Sequence, residues 1–262
     1  MPRAAFGGLW LHPRAPRRTL VLAAGIPAHD LLGVEIQAAF WAAAGIWILM
    51  LAASDVLGRR DTGSWLLGFW IWGTFLFAAA INWTVNGRTV LPLVPAAAIL
   101  VFRRLDDKVA GERIRFRGVA VALCAGAALA LLVAQSDFQA AVAVRKCAQW
   151  ACAQAGAKKL WFQGHWGFQF YMQSGGAFPV DFKKSVFQPG DEIAIPSNNT
   201  NLLPLDPAKS RGLAFLAVPG SRWLSTMNAA AGAGFYASTW GPLPFVFGPA
   251  PPETVSLYAL TQ

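Results

Sequence analysis

Four apolar stretches without a charged residue constrain this chain more than any other feature of its sequence. They cover Ile36–Ser54, Thr62–Gly87, Thr89–Phe102 and Gly118–Ser136. A helix that crosses a bilayer needs about 20 apolar residues, and three of the four stretches are long enough. The whole chain is 55% hydrophobic and only 13% charged, whereas soluble domains average about 25% charged residues. The sequence therefore predicts a membrane protein built on helices.

We predict about four membrane-spanning helices, at residues 31–53, 64–81, 90–104 and 118–134, within a membrane part that covers residues 31–136. Pro92 and Pro95 fall in the first turns of the third helix, where a missing backbone donor does least harm. The fourth is rich in Ala and Gly, which lets neighbouring helices approach closely. The prediction is an α-helical transmembrane bundle.

After Ser136 the long apolar runs give way to short ones. "KKLWFQ", "FPVDF", "DEIAIPS" and "GLAFLAVP" read as strands, and "HWGFQFYMQSGG" reads as a short helix closed by glycines. Strands that alternate with helices indicate an α/β fold. Residues 137–262 are therefore predicted to form a small, soluble α/β domain.

Residues 1–30 form a basic segment that fits neither part. Arg3, Arg14, Arg17 and Arg18 lie in it, and its apolar stretch Thr19–Ile26 is too short to cross a bilayer. The segment either lies in the membrane interface or reflects a truncated start of the chain.

The distribution of positive charge predicts the orientation. The formal net charge is +9, and six Lys or Arg residues lie between Arg103 and Arg117. Arg59 and Arg60 occupy a second loop, whereas Arg88 alone lies between the second and third apolar stretches. By the positive-inside rule the two richer loops are cytoplasmic and the C-terminal domain is extracytoplasmic. The charge is thus explained by the lipid bilayer, with no nucleic-acid partner.

One polar interruption of the membrane part is a candidate binding site. "INWTVNGRTVLPLVP" contains Asn82, Asn86 and Arg88 at the predicted membrane boundary. In one interpretation the two amides form a hairpin turn, and Arg88 extends to the headgroups. In the other, all three side chains bind an anionic lipid head, since a guanidinium pairs two phosphate oxygens at once.

A second candidate lies in "WFQGHWGFQFYM". Trp161, His165, Trp166 and Tyr171 could face a sugar or an acceptor, because aromatic faces stack on sugar rings. The alternative is structural, with His165 capping or packing the short helix. Cys124, Cys147 and Cys152 have neither metal-ligand nor redox spacing. A disulfide between Cys147 and Cys152 is an alternative that the sequence does not decide. We predict no metal and no cofactor.

The combination of "NWTVNGRTVLPLVPAAAILVFRRLD", "WFQGHWGFQFYM", "PGDEIAIPSNNTN" and "FYASTWGPLPFVFGPAPPE" resembles the C-terminal part of bacterial membrane glycosyltransferases. These enzymes are of the GT-C type and related to the dolichyl-phosphate-mannose–protein mannosyltransferase family. The resemblance covers residues from Leu31 to the end. It implies transfer of a sugar from a polyprenyl-phosphate-linked donor to an acceptor outside the cytoplasm, by a multi-pass protein of the bacterial inner (plasma) membrane.

The chain departs from that family where catalysis is concerned. The family carries an essential acidic residue in the first extracytoplasmic loop, but Asp30 and Glu35 are isolated, and Asp55 and Asp61 fall in a predicted cytoplasmic loop. No catalytic residue is therefore assigned. The catalytic front half is expected to be missing, truncated or supplied by a separate chain. The alternative is a non-enzymatic, membrane-anchored accessory protein that binds a glycan or a partner.

Overall fold

A computed structural model describes residues 28–82, 86–109, 116–156, 158–237 and 240–261. The helices are α1 Ala28–Arg59, α2 Thr62–Leu76 with a π-helical extension Phe77–Ile81, α3 Gly87–Val90 with a 3-10 turn Leu91–Leu93, α4 Val94–Val109, α5 Phe116–Gln154 and α6 Trp166–Ser174. The strands are β1 Leu160–Phe162, β2 Phe178–Pro179, β3 Glu192–Pro196, β4 Ser210–Val218, β5 Leu224–Ser225, β6 Met227–Asn228, β7 Ala233–Gly234, β8 Val246–Phe247 and β9 Glu253–Leu260. The interpretation of the basic N-terminal segment concerns residues that lie almost wholly outside these ranges.

Three helical stretches of the described chain are long and apolar enough to cross a membrane. They are Gly33–Arg59, Thr62–Ile81 and Gly118–Gln154. The prediction of a helical membrane part is confirmed to this extent. The third predicted span corresponds to α4, which has only 16 residues and carries charges over its second half, so a count of four spans stays a prediction.

Helices α1, α2 and α4 pack around a small apolar core. Its fully or nearly buried members are Ala52, Leu67, Ile71, Ala96 and Leu100. A Cβ atom on Gly68 would lie only 2.6 Å from Val56 Cγ2, so this glycine lets α1 and α2 approach closely. Large side chains on the outer surface, such as Phe69 and Leu131, are exposed, as lipid-facing side chains are.

A network of six charged side chains joins the ends of α1, α2 and α4. Asp55 lies at its centre with only 1% of its surface exposed. Its Oδ1 lies 3.2 Å from Arg59 Nε, its Oδ2 lies 3.4 Å from a terminal nitrogen of Arg103, and Ser64 Oγ donates to Oδ2 over 2.8 Å. The remaining members of the network are Asp61, Arg104 and Asp107. Three carboxylates thus balance three guanidinium groups.

The α/β domain lies at the opposite end of the bundle. Val34, Ala38 and Trp41 in the first turns of α1 pack against a buried cluster that includes Leu243 and Val246. The Trp41 ring also meets Phe245 edge-on, at 5.4 Å between centroids. The bundle therefore contacts the domain at one end and holds its ion-pair network at the other.

Helix α5 belongs to both parts of the chain. It runs for 39 residues without a break, so the predicted boundary at residue 136 falls inside one helix rather than between two. No Pro lies in its interior to interrupt it. Its final turns bury Cys147, Ala148 and Ala151 against the domain, and this apolar face fixes the domain to the membrane part.

The domain is built on a mixed five-stranded sheet, which confirms the predicted α/β character. The strand order is β2-β1-β3-β9-β4. Strands β2 and β3 both run parallel to β1, whereas β9 runs antiparallel to β3 and β4. The two short pairs β5-β8 and β6-β7 lie outside this sheet.

Candidate functional site

The first predicted site is a turn that attaches the bundle to the domain. Asn86 caps α3, because its Oδ1 accepts a hydrogen bond from Thr89 N over 3.1 Å. Gly87 N donates to Phe235 O over 2.8 Å, and a Cβ at Gly87 would lie 2.6 Å from the Phe235 ring. The Asn86 amide oxygen is thus committed to the turn, which supports the hairpin interpretation for this residue.

The other two predicted residues of this site differ in exposure. Asn82 is half-buried and ends the π-helical turn, where its backbone N donates to Phe77 O over 2.8 Å. Arg88 is exposed on the first turn of α3. Arg88 is therefore the member of the predicted trio whose charged group is presented on the surface.

The charge of Arg88 acts on Tyr236, which belongs to a cluster that we call the polar clasp, formed by Asp137, Thr226 and Tyr236. Thr226 Oγ1 and Tyr236 OH each donate to a different oxygen of Asp137, both over 2.6 Å. Burial, followed by the bond to Asp137, raises the pKa of Tyr236 well above its usual range, while Arg88 acts in the opposite direction. Tyr236 therefore stays protonated and acts as a donor rather than as a base.

We expect Asp137→Ala to lower the free energy of unfolding by about 3 kcal/mol, because it leaves two hydroxyl groups without their acceptor. Thermal unfolding of the purified chain in detergent measures the loss. Asp106→Ala removes a carboxylate from an exposed position on α4 and serves as the control. An equal loss in the two variants would show that the polar clasp does not hold the domain to α5.

The second predicted site lies beside a cavity of about 290 Å³ at the carboxyl ends of β1 and β2. His165 borders it, with Nδ1 3.2 Å from Gln169 Oε1 and Nε2 in contact with the amide nitrogen of Asn201. These partners fit the tautomer that carries its proton on Nδ1. The His165 ring is therefore held in place by two amides, and it does not cap α6.

The backbone beside this cavity is held rigidly. Asn199 Oδ1 accepts from His165 N over 2.8 Å, and its amide nitrogen donates to His165 O over 3.2 Å. Gly164 has φ +98°, and both Trp166 and Asn201 have positive φ as well. Non-glycine residues in that region cost free energy and concentrate at functional sites.

The predicted aromatic residues do not gather on one surface. Trp161 is 6% exposed and lies in the core, where its Nε1 donates to Asp191 Oδ2 over 2.9 Å. Tyr171 packs against the core beneath α6. Trp166 is 54% exposed, and its ring lies 5.6 Å from that of Trp240. Trp166 is thus the only one of these three rings whose face a ligand can reach readily.

Glu253 is a buried carboxyl group that the sequence analysis did not select. Its side chain borders a cavity of about 30 Å³ between α5 and the sheet, a space that suits one water molecule. Oε1 has no hydrogen-bond partner among the described residues. Burial raises the pKa of Glu253 to about 7, although hydrogen bonds from Asn198 act in the opposite direction.

The cysteines and acidic residues of the described part show no further site. Cys124, Cys147 and Cys152 are free thiols, so no disulfide joins the last two. Within the described ranges no group of three or more His, Cys, Asp and Glu side chains is placed to hold a metal ion.

Sequence reasoning missed Asp137, Tyr236 and Glu253. Asp137 had a usable signal, because it is the first charge after the Gly118–Ser136 stretch and therefore lies where a span leaves the membrane. Tyr236 and Glu253 had none, since their partners are more than 50 residues away along the chain.

Comparison with known proteins adds no assignment. No protein-family model, curated protein or solved structure matches the chain.

Proposed function

We propose that the chain is the C-terminal portion of a GT-C type glycosyltransferase, which moves a sugar from a polyprenyl-phosphate-linked donor to an extracytoplasmic acceptor. The observation that carries the proposal is the position of Arg88. Arg88 is exposed at the end of the helix bundle that meets the α/β domain, and its charge acts on Tyr236 of the polar clasp.

This position suits a lipid phosphate. The apolar stretch Thr62–Ile81 ends a few residues before Arg88, so in the proposed enzyme the guanidinium would lie near the depth at which headgroup phosphates are found. A guanidinium is complementary to a phosphate monoester or diester, because its fork pairs two phosphate oxygens at once.

The chemistry would be a displacement at the anomeric carbon of the sugar. A carboxylate activates the acceptor hydroxyl by taking its proton, the bond from the anomeric carbon to the phosphate oxygen breaks, and the lipid phosphate leaves with its negative charge. Arg88 would stabilise that charge. Asp137 does not supply the base, because both of its oxygens accept hydrogen bonds within the polar clasp. The proposal places the catalytic carboxylate in another segment or a separate chain.

The bundle is compatible with the proposed orientation of the enzyme. The network around Asp55 would face the cytoplasm, in line with the positive-inside rule, and the domain would lie outside the cytoplasm in the bacterial inner membrane. The bundle places these two features at opposite ends, as this orientation requires.

We expect Arg88→Ala to abolish sugar transfer in a proteoliposome assay with a labelled polyprenyl-phosphate-linked sugar and the segments that supply the carboxylate. The affinity of the Arg88→Ala variant for a long-chain polyprenyl phosphate should fall about tenfold or more, because a charge-assisted pair to the phosphate is lost. Native mass spectrometry in nanodiscs measures this affinity. Arg88→Lys should retain part of the transfer activity and part of the affinity. An ammonium group still binds phosphate, but it lacks the bidentate geometry of a guanidinium.

Arg222→Ala is the matched control. Arg222 is also exposed, and it lies two residues from Leu224, whose carbonyl accepts from Ser136 on α5. The control removes the same charge from the same end of the bundle. Equal affinity and turnover in Arg88→Ala and wild type would remove Arg88 from the site and, with it, the support for this function.

The second candidate is a membrane-anchored accessory protein that recognises a glycan without catalysis. The cavity beside His165 favours it, because that cavity lies within the domain and is lined by no residue of the membrane part. Glycan binding without any turnover, even when the missing segments are supplied, would distinguish this function from the transferase.

A further inference from the structure

We infer that the cavity at the carboxyl ends of β1 and β2, which we call the edge cavity, is a binding site for a sugar ring. Its lining comes from three separate segments. The lining residues that matter for binding are Gln163, Gln169, Asp181, Phe182, Lys183 and Asn201.

The position of the edge cavity follows from the order of the strands. Strands β1, β2 and β3 are parallel, and β1 lies between the other two. Their carboxyl ends therefore lie at the same edge of the sheet, and the lining of the edge cavity comes from the segments that follow the three strands. Ligands of α/β sheets bind in the crevice outside the carboxyl ends of the strands.

The lining matches a molecule that carries several hydroxyl groups. A hydroxyl both donates and accepts hydrogen bonds. Lys183 and the amides of Gln169 and Asn201 offer donors, while the Asp181 carboxylate is an acceptor. Phe182 adds a ring that is half exposed. Both charge signs are present, so the lining suits a neutral polyhydroxyl ligand better than a simple anion.

The site is formed before any ligand arrives. Gln163 is buried, and its Oε1 accepts from Leu203 N over 2.6 Å, which fixes the segment that carries Asn201. Asp181 Oδ1 accepts from Lys183 N over 2.9 Å, which fixes the turn after β2. Side chains that are already fixed lose little conformational entropy on binding, so more of the interaction free energy appears as affinity.

The inference about the edge cavity rests on the proposed function in one respect only. The bound sugar would belong to the acceptor of the transfer reaction. Binding itself requires neither the donor lipid nor the catalytic carboxylate. A binding experiment without transfer can therefore fail or succeed independently of the assay on Arg88.

The test is saturation-transfer difference NMR on the full chain in nanodiscs. The probes are glucose, galactose, mannose and N-acetylglucosamine, with inorganic phosphate as the anionic probe. We expect at least one of the sugars to receive saturation from the protein. Lys183→Met and Gln169→Ala should each weaken that sugar about tenfold, since each removes a hydrogen-bonding partner.

Two neighbouring residues provide matched controls. Lys184→Met changes an exposed lysine one residue from Lys183, and Gln173→Ala changes an exposed glutamine one helical turn from Gln169. Both positions lie outside the edge cavity, so both variants should bind the sugar like wild type. Binding that survives Lys183→Met and Gln169→Ala, or that falls equally in the controls, would overturn the inference. A response to phosphate alone, or to no probe, would overturn it as well.

Discussion

Asp55→Ala is expected to lower the free energy of unfolding by about 3 kcal/mol. Removing one partner of a buried ion pair costs about 3–5 kcal/mol, because it leaves the opposite charge uncompensated. Asp55 is 1% exposed, and guanidinium groups from α1 and α4 surround it. Arg59 and Arg103 are partly exposed, and each keeps a second carboxylate as an ion-pair partner, Asp107 and Asp61 respectively. The expected loss therefore lies at the lower end of the range.

Two further variants separate the charge of Asp55 from its position. Asp55→Asn keeps an acceptor for Ser64 but loses the charge, so it should fall between wild type and Asp55→Ala. Asp107→Asn removes a carboxylate that is 47% exposed from the same network and should cost at most about 1 kcal/mol. Thermal unfolding in one detergent measures all three. A loss in Asp107→Asn as large as that in Asp55→Ala would show that burial at the centre of the network does not matter.

The helices could be predicted from sequence because their signal is local. An uninterrupted apolar stretch such as Gly118–Ser136 determines a helix by itself. The packing of α5 could not be predicted in this way, because its second half, which includes Cys147 and Ala151, buries an apolar face against strands that follow later in the chain. The burial of Asp55 was missed for the same reason, since Arg103 is 48 residues away.

The sites could be predicted only in part. Asn86 and Arg88 were selected from one short polar stretch, and the structure separates a capping residue from an exposed one. His165 was selected as a lone titratable group, but its setting depends on Asn199 and Asn201, which follow another strand. Such pairings depend on the order of strands in the sheet, which local patterns do not determine.

Glu253→Gln is expected to make the chain more stable at pH 8 and to leave its stability almost unchanged at pH 4. The pKa of Glu253 is about 7 in the folded chain and starts from an ordinary value of 4.5. Between these two values the folded state holds the proton more tightly than the unfolded state. Stability therefore falls as the pH rises through this window and levels off above pH 7. A shift of this size corresponds to roughly 3 kcal/mol.

The measurement is the melting temperature of wild type and Glu253→Gln from pH 4 to 8, taken as the difference between the two proteins at each pH. That difference cancels the titration of the other groups. Glu192→Gln, which alters a half-exposed carboxyl group of the same sheet, is the control. A difference that stays flat across the range would contradict a carboxyl group buried without a partner for Oε1. A difference that grows between pH 4.5 and 7 would mean that Glu253 keeps its proton in the folded chain up to a pH of about 7.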